Sequence, residues 1–306
     1  VNLFHRGEGH RTWYRPMKPP PPAPGRAEKD SSDRYSPDSD RPGPPARVPS
    51  RPGPPARFLD QPGPLAFAHR GGAAEGDENT AEAFRRAIDM GYRYVETDVH
   101  ATRDGVPVVI HDARLDRVAG QSARVADLSW ADLSTVRVGG AAAVPRLDEV
   151  LDAWPEVRFN IDVKSDPAAE PTVAAVRAAD AEDRVLLGSF SDARLTRIRA
   201  LAGPRVATSL AMRAIARLRV ASTAGVRIRL PQSAVAAQIP VRHGRFTVLT
   251  PRFLAYLHRL GLAVHVWTID DPDEMNDLLD MGVDGIMTDR IEVLRDVYTA
   301  RGFWSL

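Results

Sequence analysis

The chain has 306 residues, 43% of them apolar, a formal net charge of +1 and no cysteine. Such a length buries one large core or two modest ones, and the near-neutral balance argues against nucleic acid or an anionic membrane as partner of the chain taken whole. Disulfides, thiol nucleophiles and zinc–thiolate sites are excluded; no apolar run of spanning length occurs and the N-terminus lacks a secretory h-region, so a cytoplasmic protein without an integral membrane segment is expected.

Residues 1–57 read as a disordered Pro/Arg-rich tail. They hold 14 of the 26 prolines, repeat RPGPPAR at 41–47 and 51–57, and carry a net +5, with few aliphatic side chains to offset the entropy of ordering. Two short copies are too few to build a solenoid. The tail is expected to be a plain tether or to lie upstream of the true start, the latter because the chain begins at Val1 rather than Met. A Pro-rich ligand for a partner's aromatic groove is the other reading.

From residue 65 onward β-rich runs alternate with helical ones. The expected strands are LAFAH (65–69), YRYVETDV (92–99), RFNIDVK (158–164), RVLLGSF (184–190), RVATSL (205–210), VRIRL (226–230), AVHVW (263–267) and DGIMTD (284–289). Asn79 and Glu82 look like a capping box for the helix TAEAFRRAIDM, which Gly91 ends, and further helices read at DARLTRIRALA, PRFLAYLHRLG, PDEMNDLLDMG and IEVLRDVYTARG. Eight strands alternating with helices over 58–306 predict a (β/α)8 TIM barrel. An open doubly wound sheet is the alternative, but no Gly-rich dinucleotide fingerprint follows the first strand.

Side chains alternate along a strand, so Glu96, Asp98 and His100 share one face of the second run, opposite Val95, Thr97 and Val99. The run FNIDVK repeats the pattern with Asn160, Asp162 and Lys164. Inward residues at the C-terminal ends of barrel strands meet at one mouth, where branched apolar side chains are the rule below it. Three acids there are costly unless a cation neutralises them, and oxygen ligands suit Mg²⁺ or Ca²⁺. The competing reading pairs each acid with one of the 38 arginines; two strands with the same pattern tip the balance toward a metal. Lys164, the only lysine after residue 29, is suited to a phosphate oxygen as a compact point charge. His69 and His111 end their strands beside the acids, as an acid–base pair would. His5 and His10 lie in the tail, His243 and His258 read as surface residues, His100 as a spare supporting group, and His265 is left without a role.

The fragments HRGG, ENT, ETD, TRDGVPVVIHD, LDR, NIDVK, VHVWTID and GVDGIMTD occur in that order between about 65 and 302. In this combination the chain resembles the glycerophosphodiester phosphodiesterase family. The resemblance implies a TIM barrel that uses a divalent metal cation to hydrolyse glycerophosphodiesters to glycerol 3-phosphate and an alcohol. It further implies His69 and His111 as the catalytic pair, Glu96, Asp98 and Asp162 as metal ligands, Arg70 and Lys164 toward the phosphate, and Trp267 in the glycerol pocket. Two positions depart from the family pattern: Asp162 stands where NIEIK has Glu, and Asp270, in WTID, where an amide is common. The implied chemistry passes through a cyclic phosphate, with His69 favoured as first base and His111 as first acid. A lysophospholipase D acting on lysophospholipids at the same site is the nearest alternative, a catalytically dead binding barrel a third, and an Arg-driven nucleic-acid binder the weakest.

Overall fold

The structure, a computed structural model, describes residues 54–304. The expected tail therefore lies almost wholly outside the described residues. A 3-10 turn, Pro54–Leu59, opens the described part, so the boundary expected at 58 falls within it, and Phe58 and Leu59 are buried.

Leu65–His69 (β1) and Tyr94–Ala101 (β2) are followed by Pro107–Val109 (β3), which turns back antiparallel on β2. The parallel set continues with Arg158–Val163 (β4), Val185–Gly188 (β5), Ala207–Thr208 (β6), Ala236–Pro240 (β7), Ala263–Trp267 (β8) and Gly285–Thr288 (β9). Hydrogen bonding runs in the order β6, β5, β4, β2, β1, β9, β8, β7. The two ends meet through a parallel bridge from Thr208 to Ala234, with Thr208 N–H donating to Ser233 O at 2.8 Å and Val235 N–H to Thr208 O at 3.0 Å. Around the strands lie Ala81–Asp89 (α1), Leu147–Ala153 (α2), Ala169–Ala178 (α3), Asp192–Ala202 (α4), Met212–Ala224 (α5), Pro251–Arg259 (α6), Pro272–Met281 (α7) and Ile291–Ala300 (α8). This is the (β/α)8 TIM barrel that the alternating pattern predicts. Among the described residues no helix is long and apolar enough to cross a membrane.

Inward positions change character along each strand, and that change creates the site. Leu65 and Phe67 of β1 and Tyr94 of β2 fill the barrel's lower interior with Leu186, Met287 and the plug from Phe58 and Leu59. Phe58 and Phe67 meet Tyr94 edge-on, with ring centroids 5.4 and 5.2 Å away. Each such buried ring contributes roughly 2–3 kcal/mol of transfer free energy. Above this plug the same faces carry His69, Glu96 and Asp98. Outward positions such as Val95, Val99, Ile161 and Val264 pack into the larger core beneath the helices.

The sixth parallel strand is not where the sequence pattern puts it. Residues 226–230 form a loop in which Val226, Arg227 and Arg229 are exposed, while the strand falls on 236–240. Its Ala236 and Ala237 are poor strand formers by propensity, but both are buried, one inside the barrel and one beneath the helices. The expected cap of α1 also shifts: Thr80, not Asn79, accepts the Ala83 N–H at 3.2 Å, which leaves the Asn79 side chain for the interior. Residues 102–146 form an excursion between β2 and β4 with its own apolar cluster of Val108, Ile110, Leu115, Val125 and Leu133. A bond from Ile110 N–H to Asp98 O, 2.9 Å long, ties it to the strand that carries the acids.

Candidate active site

Strand register brings the polar residues together. His69 lies opposite Glu96 and Glu96 opposite Asn160, while Asp98 lies opposite Asp162 one step further toward the mouth. Both histidines are held in the same way. Nδ1 of His69 donates to Asp289 Oδ1 at 2.6 Å, and Nδ1 of His111 donates to Asp112 Oδ1 at 2.6 Å. Each ring is thereby oriented with Nε2 left for chemistry, and Nε2 of His69 stands 3.7 Å from Glu96. Burial disfavours charge on His69, but Glu96 and Asp289 outweigh it and raise its pKa above 6.5. Buried His100, pushed down to about 4 chiefly by desolvation, is neutral at pH 7 and donates from Nε2 to the His111 carbonyl at 3.2 Å. The supporting role read for His100 is thus a hold on the backbone of His111.

The acids form an alternating chain with cations. Lys164 Nζ lies 2.8 Å from Asp98 Oδ1 and 2.7 Å from Asp162 Oδ2. On its other side Asp98 Oδ2 meets Arg70 Nε at 3.2 Å and accepts from Asn79 Nδ2 at 3.0 Å. Arg70 continues to Glu78 at 3.0 Å, and Arg117 joins Glu78 (2.7 Å) to Asp112 (2.6 Å). Burial opposes the charge on Asp98, yet Lys164 and Arg70 hold it well below the usual carboxylate range. Glu96 goes the other way: burial and the neighbouring Asp98 carboxylate push it up. Arg70 (φ 53°) and Asn79 (φ 60°) both adopt the left-handed region and both reach Asp98, so backbone strain is concentrated at this carboxylate. Gly71, at φ 84°, permits that turn, since a Cβ there would lie 2.7 Å from the Phe84 ring.

Trp267, at the end of β8, stands edge-on to Phe190 with centroids 5.7 Å apart, and Lys164 Nζ lies 5.5 Å over the Phe190 ring. Phe190 is 49% exposed, which gives the mouth an apolar wall. His265, given no role from the sequence, is fully buried against Phe67 below the site. His258, read as a surface residue, donates to Asp284 at 2.8 Å, and His243 lies in an exposed hairpin. The residues read together from the sequence thus meet at one mouth, joined by five that were not singled out: Glu78, Asp112, Arg117, Asp289 and, as an interior ligand of Asp98, Asn79. Asp112 and Asp289 were findable, because one follows His111 directly and the other ends the last strand.

Among the described residues no group of three or more His, Asp or Glu side chains is arranged to hold a metal ion. The Lys164 ammonium lies between Asp98 and Asp162, and of the arginine partners that the competing reading assigned to the strand acids, Arg70 meets Asp98. The donor chemistry nonetheless suits a hard divalent cation. Oδ1 of Asp162 is buried without a hydrogen-bond partner, and burial with the Asp98 carboxylate drives Glu96 toward its neutral form in spite of Arg70 and Lys164 nearby.

The profile of the glycerophosphoryl diester phosphodiesterase family matches residues 69–293. A Mycobacterium tuberculosis protein named "Probable glycerophosphodiester phosphodiesterase 2" is 43% identical over 245 residues, which span 79% of this chain and 93% of that one. Among solved structures, a glycerophosphodiester phosphodiesterase from Agrobacterium tumefaciens is 24% identical with a TM-score of 0.63, over 76% of this chain and 98% of that one. A phosphodiesterase from Oleispira antarctica, in complex with the product sn-glycerol-3-phosphate, is 21% identical with a TM-score of 0.64, over 78% of this chain and 97% of that one. These structural likenesses establish the fold.

Proposed function

The chain belongs to the glycerophosphoryl diester phosphodiesterase family and is a phosphoric diester hydrolase, and we propose that it cleaves glycerophosphodiesters to glycerol 3-phosphate and an alcohol through His69 and His111. The observation that carries this reading is the matched pair of carboxylate-anchored histidines, each with Nδ1 at 2.6 Å from an aspartate. A neutral imidazole so oriented accepts a proton at Nε2, and its partner carboxylate stabilises the imidazolium that forms.

His69 takes the proton of the glycerol 2-hydroxyl as that oxygen attacks phosphorus. His111 delivers a proton to the departing alkoxide as the phosphorus–oxygen bond to the alcohol breaks. Water then opens the cyclic phosphate, its proton passing to His111, while His69 returns its own to the 2-oxygen. Arg70 and Lys164 supply positive charge toward the phosphoryl oxygens, and Trp267 lies against the glycerol carbons. Glu96, Asp98 and Asp162 would hold a divalent cation, Mg²⁺ or Ca²⁺, whose chemistry when bound is to neutralise charge on the phosphate. Lys164 would then give up part of its hold on the two aspartates.

The apolar wall of Phe190 and Trp267 favours a second substrate class, lysophospholipids, whose acyl chain would bury surface that glycerol alone leaves wet. The test is turnover of glycerophosphocholine, glycerophosphoethanolamine and a lysophospholipid by the purified chain, with and without chelator. Release of glycerol 3-phosphate that stops in chelator and returns with added Mg²⁺ or Ca²⁺ is expected. Full turnover in excess chelator removes the cation from this reading, and release of phosphate-free glycerol removes the assigned bond.

A further inference from the structure

The near-zero formal charge of the chain hides a one-sided distribution. Residues 193–269 contain thirteen arginines and not one aspartate or glutamate, whereas the rest of the chain from residue 58 carries 34 acids against 17 basic groups. The acid-free stretch is contiguous in space as well as in sequence. It comprises most of α4, then β6, α5, β7, α6 and β8, together with the loops between them. Arg219 Nε donates to Val248 O at 3.2 Å, joining α5 to the base of the hairpin that follows β7. Arg252 donates to Ser222 O and Thr223 O at 3.2 and 2.6 Å, and the Tyr256 hydroxyl to Val226 O at 2.6 Å, joining α6 to the end of α5.

Arg213, Arg217, Arg227, Arg229, Arg242 and Arg245 stand exposed on this side, and among the described residues none of them makes an ion pair. Arg213, Arg217 and Val220 follow one another at helical spacing along the outer face of α5. Exposed large apolar side chains are interspersed with these charges: Met212 (45%), Val220 (71%), Val226 (56%) and, on the hairpin between Arg245 and Thr247, Phe246 (77%). The hairpin leaves β7 at Pro240, which lies opposite Trp267 in the strand register, so it rises beside the mouth of the site.

We propose that this side of the barrel, α5 with the hairpin that follows β7, docks on an anionic lipid surface. Unpaired guanidinium groups are attracted to anionic headgroups, and apolar side chains set among them gain by entering the interface, a combination that a purely polyanionic partner would leave half used. Arg242, Arg245 and Phe246 would then bring the mouth close to the lipid plane. The inference concerns where the protein sits and not which bond it cleaves.

Vesicle flotation of the full chain tests it, with phosphatidylcholine alone, phosphatidylcholine mixed with phosphatidylglycerol, and duplex RNA as competitor. The variants are the combined Arg213→Glu, Arg217→Glu, Arg242→Glu, Arg245→Glu and the single Phe246→Ser. The expected result is binding to the mixed vesicles that weakens with salt, falls at least about tenfold in the charge-reversed variant and falls less in Phe246→Ser, with turnover of soluble substrate and Tm unchanged. The N-terminal tail, identical in every form, does not account for such a difference. No vesicle binding by the wild type, binding unaffected by charge reversal, or RNA binding that responds to charge reversal in the absence of vesicle binding would each overturn the proposal.

Discussion

Oδ1 of Asp270 accepts the backbone N–H of Asp289 at 2.9 Å, and the Asp289 carboxylate holds Nδ1 of His69 at 2.6 Å. The same oxygen of Asp270 also accepts the Thr288 hydroxyl at 2.8 Å. Both contacts require an acceptor and neither requires a charge. That explains how Asp can stand here where the family pattern has an amide. Asp270→Ala is expected to lower kcat by about tenfold, the scale at which loss of a supporting hydrogen bond tells, while Asp270→Asn stays near wild type. Equal loss in both variants, measured by steady-state kinetics, would assign the effect to charge instead.

His69→Ala and His111→Ala are each expected to cut kcat by at least about a hundredfold on a substrate with a poor leaving group, with circular dichroism unchanged. The pH profile adds a sign. A first base must be neutral, and Glu96 and Asp289 overcome burial to raise the His69 pKa above 6.5. Activity should therefore fall as pH drops, with the acidic limb of kcat/KM centred above 6.5. A limb centred below that value, or none, would move the base role away from His69.

Glu96 is expected to trade stability for function. Burial and Asp98 push it up to about 7 from 4.5, so its favourable contribution is complete below 4.5 and disappears as pH rises through about 7. Glu96→Gln should accordingly melt a few degrees higher than wild type at pH 8, with the difference shrinking toward pH 5, and should lose activity at both. Thermal melts across that range decide the matter; a variant that melts lower at pH 8 contradicts the sign.

Asp162 separates the two readings of the acidic cluster. As a cation ligand, Asp162→Asn weakens Mg²⁺ or Ca²⁺ binding strongly, whereas Asp162→Glu retains binding but changes the ratio of the two affinities, because the longer arm moves the carboxylate relative to Glu96 and Asp98. As a mere partner of Lys164, at 2.7 Å, it leaves cation affinity untouched and only Tm drops. Calorimetric titration alongside melting distinguishes these outcomes.

The sequence by itself determined the alternation of strands and helices and the polar faces of β2 and β4. Period-two patterning is a local property, so Glu96 with Asp98 and Asp162 with Lys164 could be placed on shared faces before any fold was known. Trp267, His69 and His111 were legible for the same reason, each lying at or just beyond the end of a recognisable strand.

What only the tertiary structure decided is which of these groups meet. The sixth parallel strand is Ala-rich and carries little local signal, and burial on both faces makes it a strand. Asn79 reads as a helix cap until Thr80 takes that place and frees its amide for Asp98. Asp289 reaches His69 across 220 residues, and Arg117 spans Glu78 and Asp112 from a separate excursion. Such contacts depend on barrel closure and register, because long-range ion pairs leave no periodic trace in the chain that forms them.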